Sequence, residues 1–490
     1  MKWRYMVMAV TVSVIAQTSY AQYNQDALRF SEIERGSSAR MKAIGNASTA
    51  VGGDISSISG NPAGLGFFNS SEFSLTPEFR RSEISSAYFG QSENDAKDRF
   101  NLNNVALVFN SPQRVVKGSD PTKGLLSINF GLSFSRTNSF HENSYFAGFN
   151  NNSSVADYFA DIANTQGFSN PLPDWAYELD LITEEGSDQN GPTYASTTDI
   201  GSPQTQTQIT SGGQSEFSLA MGANYSNKLY FGLGLGLTSL NYRSTTNFTE
   251  MDVKDIDYRV YYDKLQHTTG SGFNFKLGMI YKPVEAVRIG ASYTSPTWYS
   301  MEDDFTLALE TDYANSAFSS GYISEDYPQN YNLRTPSRLN GGIAVFLQQY
   351  GFISADVEYV NYSNIELSDY SDGSSAGDNR RIANLYKSVV NARIGAEGKF
   401  DNFYLRAGYD YRANPERGIG GATKTASTGI GYRMNNFYVD FTYANVTRTI
   451  TVFPYEFELP TDVFGDAVFS PEASIDKKYN NGYLTVGFRF

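Results

Sequence analysis

Apolar and polar residues alternate with period two through most of the second half of this chain. Phe231, Leu233, Leu235 and Leu237 are separated by Gly232, Gly234 and Gly236, and Phe273, Phe275, Leu277 and Met279 by Asn274, Lys276 and Gly278. Val287, Ile289, Ala291 and Tyr293 alternate with Arg288, Gly290 and Ser292, and Ile353, Ala355, Val357 and Tyr359 with Ser354, Asp356 and Glu358. The pattern returns at 403–410 and 437–443. Successive side chains of a strand point to opposite faces, so each run predicts a strand with one apolar and one polar face. The final residues do the same. Leu484, Val486, Phe488 and Phe490 oppose Tyr483, Thr485, Gly487 and Arg489, which suits a last strand that closes a barrel.

A soluble sandwich and a membrane barrel both alternate this way, and the connections separate them. Tight turns are expected at Asn227-Lys228, Lys282 to Glu285, Gln348 to Tyr350, Asp401-Asn402 and Asn435-Asn436. Between them fall much longer links, at 139–213, 244–264, 297–330, 362–386, 413–423 and 449–477. Short and long connections therefore alternate, as in outer-membrane barrels with short periplasmic turns and long extracellular loops. Strands near 72–80, 102–110 and 124–136 bring the total to about fourteen, an even number that puts both termini in the periplasm. The link at 111–123 is longer than a tight turn. The expected fold is all-β: a transmembrane antiparallel barrel occupying 71–490, its apolar face toward lipid and its glycines and charges toward the lumen.

Composition narrows the function. The chain carries 35 Tyr, 34 Phe and 43 Gly with a mean hydropathy of -0.39, as a barrel with a polar interior and aromatic girdles does. Met1 to Arg4 is basic, Tyr5 to Ile15 apolar, and Ser19-Tyr20-Ala21 small at both recognition positions, so 1–21 reads as a secretory leader cut after Ala21. Without Lys2 and Arg4, 36 basic residues face 52 acidic ones, a net charge of -16. That balance argues against nucleic-acid binding. There is no Cys, which excludes disulfides and lipoprotein anchoring.

Between leader and first strand, residues 22–70 lack strand alternation and are rich in Gly and small residues, including Gly52-Gly53-Asp54 and Asn61-Pro62-Ala63-Gly64-Leu65. Such a segment cannot cross lipid with its backbone unpaired, and filling the barrel is its natural use. Asn61, Pro62, Ala63, Gly64 and Leu65, after a Gly-rich run and immediately before strand one, resemble the signature of FadL/TodX-type outer-membrane transporters of hydrophobic compounds. The resemblance extends to the layout of the whole chain after the leader. It implies that 22–70 is a hatch, that substrate is captured by an external apolar groove, and that it leaves sideways through the wall at a kinked third strand. Strand three here turns Ser127, Asn129, Gly131, Ser133 and Ser135 inward, and Gly131 is the candidate kink. In the longest loop, Val155, Tyr158, Phe159 and Ile162 fall at helical spacing, as do Trp175, Leu179 and Ile182. Two short amphipathic helices there resemble the family's substrate groove, although their apolar faces would equally serve to pack on each other and cap the barrel.

Catalytic chemistry finds little support. His141 and His267 are the only histidines, no nucleophile with a base can be picked out, and no metal spacing is visible. Glu302-Asp303-Asp304 and the trio Asp252, Asp255 and Asp257 read as solvated loop tips. Arg288, Asp356, Glu358, Arg393, Glu397, Arg406, Asp410 and Asp440 read as a lumenal ionic network. The expected protein is a monomer without cofactor or metal that passes hydrophobic small molecules, fatty acid-like compounds among them, among outer-membrane lipids and without energy coupling. A haem receptor using the two histidines, and a closed barrel serving as a structural or secretion partner, are the alternatives.

Overall fold

The computed structural model describes residues 20–113, 120, 122–188, 191–252, 257–370, 375–457, 461–463, 466–468 and 470–490. The expected leader up to residue 19, and Asp255, lie outside them. Fourteen strands close an antiparallel barrel. They are β1 (Glu72–Tyr88), β2 (Gln91–Phe109), β3 (Leu125–Ser139, resuming as Glu142–Asn150), β4 (Ser202–Tyr225), β5 (Leu229–Asp252) and β6 (Tyr258–Val284). There follow β7 (Val287–Thr294, resuming as Trp298–Tyr313), β8 (Gly321–Arg334, resuming as Arg338–Phe346) and β9 (Gly351–Asn361, with Glu366–Ser368 beyond it). β10 (Ser388–Phe400), β11 (Phe403–Arg412), β12 (Thr423–Met434), β13 (Phe437–Val452) and β14 (Ala473–Arg489) complete the wall. β14 pairs back onto β1 from Glu72 with Arg489 to Tyr88 with Ala473. The seam between the first and last strands is thus paired and leaves no edge there.

The apolar faces point outward. Phe73, Leu75 and Phe79 on β1, Phe130 and Phe134 on β3, Phe273 to Tyr281 at alternate positions on β6, and Leu484, Val486 and Phe488 on β14 are all exposed. An apolar belt this continuous calls for lipid rather than water. No helix among the described residues is long and apolar enough to cross a membrane, which says nothing of a barrel that crosses with strands.

The strands run further than alternation predicts. The expected link at 244–264 shrinks to the few residues between Asp252 and Tyr258, and the one at 297–330 becomes two strands, Trp298–Tyr313 and Gly321–Arg334. The link at 139–213 gives up Glu142–Asn150 and everything from Ser202 onward. β6 alone has 27 residues, where about 9–11 cross a bilayer. Beyond the belt the outward face turns polar, and the apolar residues of β5 to β7 lie on the inward face instead, under the loop helices. Glu302-Asp303-Asp304 is corrected for the same reason: it lies within β7, with Asp303 buried and accepting from Thr268 and Gln266.

Residues 20–68 lie against the inward face of the wall. They form α1 (Tyr20–Ser31), α2 (Ala39–Ala43) and two 3-10 turns, Ile55–Ser57 and Pro62–Phe67. Ser38 Oγ caps α2, and Asn61 Oδ1 accepts the Ala63 N–H ahead of Pro62, whose fixed φ suits a first helical position. The wall makes room by glycine. A Cβ at Gly232 or Gly278 would overlap Asn61-Pro62-Ala63, and one at Gly395 or Gly408 would overlap Ile44. Gly408→Val therefore sets a side chain against the Ile44-Gly45 backbone and should cost roughly 3 kcal/mol. Unfolding in urea should show it as a lower midpoint. Gly482→Ala, where the nearest atoms lie 3.9 Å away, should leave the midpoint unchanged.

Gly131 is not a kink. It pairs regularly with Val108 on β2 and Ala220 on β4, and the space of its missing side chain is taken by Ile58 and Leu65. β3 departs from regular register elsewhere, between Leu125 and Ser127 and between Arg136 and Asn138, and it breaks between Ser139 and Glu142.

Candidate functional site

The inward charges of the wall and residues 20–68 are joined at the end of the barrel where the connections are short. Arg40 forks onto Glu397 at 2.8 and 2.9 Å. Glu397 also accepts from Arg406 at 2.6 Å, Arg406 donates to Asp440 at 2.7 Å, and Asp440 takes Arg433 through both oxygens. A second chain runs from Arg35 to Glu358 at 2.7 Å and from Glu358 to Arg393 at 3.0 Å, with Arg393 3.2 Å from Asp410. Thr49 donates to Asp356 through its N–H and its hydroxyl, and Arg288 reaches Val51 O. Neutral bonds fill the gaps: Asn61 Nδ2 to Thr49 O, Asn129 Nδ2 to Leu65 O and Asn103 Nδ2 to Ser37 O. Charges paired in this way hold geometry firmly, because removing one partner strands another in low dielectric.

At the opposite end the lumen opens into a cavity of about 500 Å3 between α1, Glu32 to Glu34, Phe140, Tyr242, α5 (Ala376–Leu385) and the strands behind them. A neighbouring space of about 350 Å3 is lined by Tyr158, Gln206, Gln266, Phe305, Tyr455 and Phe457, and the two share Arg29 and Tyr242. Paired charges and apolar side chains share the walls. Arg448 meets Glu32 at 2.6 Å and Arg80 meets Glu34 at 3.5 Å, beside Leu28, Ile450, Val452 and Ile475. Burial works against the Glu34 charge, but Arg80 and Lys42 outweigh it and hold the carboxyl below its usual range. Glu416 and Glu456, on the connections above, are pushed up by burial. Such walls accommodate a molecule with an apolar body and a polar end.

One stretch of wall beside this cavity is incomplete. β2 pairs with β3 only from Asn104 with Ser135 to Phe109 with Phe130, and the upper half of β3 pairs with β4 instead. At the bulge after Arg136 the Thr137 carbonyl turns inward and accepts the Glu34 N–H at 2.7 Å, while Asn138 Nδ2 donates to Glu32 O. Residues 32–37 thus run directly past the parting of β2 and β3.

The loop residues singled out in the sequence lie elsewhere. α3 (Val155–Gln166) carries Val155, Tyr158, Phe159 and Ile162, and its Ser154–Asp157 capping box is complete. α4 (Pro171–Glu178) carries Trp175, and Leu179 caps it. Ile182 is not on this helix. Asp180 takes a positive φ of 54°, which ends the helix, and Ile182 opens a small hairpin strand, Ile182–Asp188. Val155, Phe159, Ile162, Trp175, Leu179 and Ile182 are all buried in one cluster with Phe248, Val260, Tyr262 and Leu309 of β5, β6 and β7. The helices turn their apolar faces onto the wall, and Tyr158 and Ile162 border the smaller of the two cavities. Gln204, Glu250 and Tyr455, which sequence reasoning passed over, bind the loop's base: Glu250 accepts from Ser154, from the Val155 N–H and from Gln204. Their signal was faint, a Gln at every second position of 204–208.

His141 sits in the break of β3 and His267 on β6, three strands apart or roughly 14 Å at ~4.8 Å per strand. They do not converge on one point. Among the described residues no group of three His, Cys, Asp or Glu side chains is arranged to hold a metal.

No family model and no curated protein matches the sequence. The fold is similar to solved structures over nearly the full length. The toluene transporter TodX of P. putida is 12% identical with a TM-score of 0.54, covering 93% of this chain and 99% of TodX. A FadL homologue of Pseudomonas aeruginosa is 11% identical with a TM-score of 0.55, covering 93% and 98%. The toluene transporter TbuX of Ralstonia pickettii is 16% identical with a TM-score of 0.50, covering 93% and 99%. The fold is that of the FadL/TodX-type hydrophobic-compound channels.

Proposed function

We propose that this chain is an outer-membrane channel for passive uptake of hydrophobic compounds, long-chain fatty acids or similar amphiphiles among them. Ligand partitions into the space beneath Tyr158 and Phe305, passes to the larger cavity, and leaves sideways between β2 and β3 when residues 32–37 move. In this reading 22–70 acts as a hatch, both termini lie in the periplasm, and the protein works as a monomer. The observation that carries the reading is the short ladder between β2 and β3, beside the larger cavity and spanned by Glu34 to Thr137. Exit through the short-turn end is disfavoured, because it would break the Arg40–Glu397–Arg406–Asp440 chain. Each step is driven by burial of apolar surface, and nothing in the geometry calls for an energy source.

Native mass spectrometry of the protein released gently from its own membrane tests this. A retained lipophile is expected, with occupancy falling at least about tenfold in Tyr158→Ala/Ile162→Ala as the contact surface is lost. A reproducibly empty barrel, or one carrying another protein, would refute uptake and favour the structural-partner reading.

A further inference from the structure

Lys264 stands in the smaller of the two cavities without a counter-charge. It shares the inward face of β6 with Tyr262 and Gln266, both buried, and lies level with Thr246 of β5 and Leu307 of β7. Its Nζ is 4.6 Å from the centre of the Tyr262 ring. Among the described residues it has no salt bridge and no hydrogen bond. Burial brings its pKa down to about 8 with no carboxylate acting against that, so the amine is charged at pH 7 and poorly compensated. An aromatic face offsets part of the cost of enclosing an ammonium, and an anion offsets more. Lys264 lies on the loop side of Phe273, where the outward apolar run of β6 begins, and so outside the lipid-crossing part of the strand.

The other charges around this cavity are engaged. Asp26 is held by Arg29 and by Gln266 Nε2, the latter at 2.6 Å. Asp161 and Arg381 each have a partner. Arg381 draws the Glu456 carboxyl down, but burial outweighs it and pushes that group up. The rest of the wall is apolar or neutral, with Tyr158, Ile162, Phe305 and Phe457 beside the amides of Gln206 and Gln208. A lysine ammonium is a compact point charge that one negative group satisfies. A cationic head would meet it as a like charge, and a doubly charged phosphate monoester would bring one charge too many against an apolar wall.

We propose that Lys264 sets the ligand class: this cavity takes an amphiphile with a single negative charge at its head, a carboxylate being the simplest, seated on Lys264 Nζ with its tail along Tyr158, Ile162 and Phe305. The two cavities meet at Arg29 and Tyr242, so a long tail has room to continue into the larger one. This rests on the uptake reading and narrows it, since an uncharged hydrocarbon would leave the ammonium unanswered.

The test equilibrates detergent-solubilised full-length protein with an equimolar mixture of oleate, oleyl alcohol and oleylamine. Ligand that stays with the protein through gel filtration is extracted and quantified by mass spectrometry. Wild type should retain oleate about tenfold over oleyl alcohol, and oleylamine least. Lys264→Met, which keeps the length of the stem, should bring the ratio of oleate to alcohol to about one by losing oleate alone. Its unchanged oleyl alcohol is the sign that the variant is folded, and Lys264→Arg should restore the preference. Equal retention of oleate and oleyl alcohol by wild type overturns selection by charge whatever the variants do, and leaves uptake standing. A preference for oleylamine overturns the sign of the site. A preference for oleate that survives in Lys264→Met overturns the role of Lys264. Retention of none of the three by wild type would refute the uptake reading itself, and this inference with it.

Discussion

Deleting residues 22–61 should turn a barrel that conducts almost nothing into one that conducts. The wall does not need this segment for its ladders, since β14 closes onto β1 without it. The lumen does. The segment occupies the space over Gly232, Gly278, Gly395 and Gly408, and a barrel larger than eight strands is too wide for wall side chains alone to fill. Single-channel conductance in a planar bilayer should rise at least roughly tenfold over the intact protein. An unchanged conductance would mean that α3, α4 and the 453–457 turn above the cavities form the seal.

The second large effect is expected from Glu358→Gln. The Glu358 side chain is 2% exposed and accepts from Arg35 at 2.7 Å, from Asn391 at 2.9 Å and from Arg393 at 3.0 Å, with Arg338 3.7 Å away. Glutamine keeps the shape and removes the one charge that three guanidinium groups share. Asp410 still serves Arg393 at 3.2 Å, but Arg35 and Arg338 lose their carboxylate. The cost should be about 3–5 kcal/mol, seen as a lower urea midpoint. Cleavage by trypsin at Arg35 and Arg40 should quicken as residues 32–40 loosen. A change under about 1 kcal/mol would show that Asp356 takes over the role.

Lipid is what makes the fold readable in the sequence. Where strands cross the belt, one face must be apolar, and runs such as Phe273 to Met279 announce both strand and facing. Above the belt the inward face is free to bury polar side chains that bond one another, so Gln204, Gln206 and Gln208 look like loop although they are strand, and the cavity residues among them stayed hidden. Asn61 to Leu65 stood out in the sequence as a family resemblance, and the structure adds its local reason, an Asn61 cap ahead of Pro62 on a turn of 3-10 helix. Gly131 was misread because one letter serves two needs. A kink and a close approach both want a missing side chain, and only the packing of Ile58 distinguishes them. The contact of Lys97 on β2 with Asn143 on the upper half of β3 had no local signature at all: the two are 46 positions apart and meet only through the course of the wall.

The bond from the Ala39 N–H to Thr485 Oγ1 spans 446 positions, and the one from Thr442 Oγ1 to Ala39 O spans 403. An early segment is thus anchored on strands synthesised long after it. Such a high contact order makes assembly slow. It also ties the packing of the interior to the last strand, because the Ala39 N–H finds Thr485 only once β14 is in place. A chain stalled or truncated before β14 would lose its closure and its anchor together, and a cell's assembly machinery would face one defect where two might have been expected.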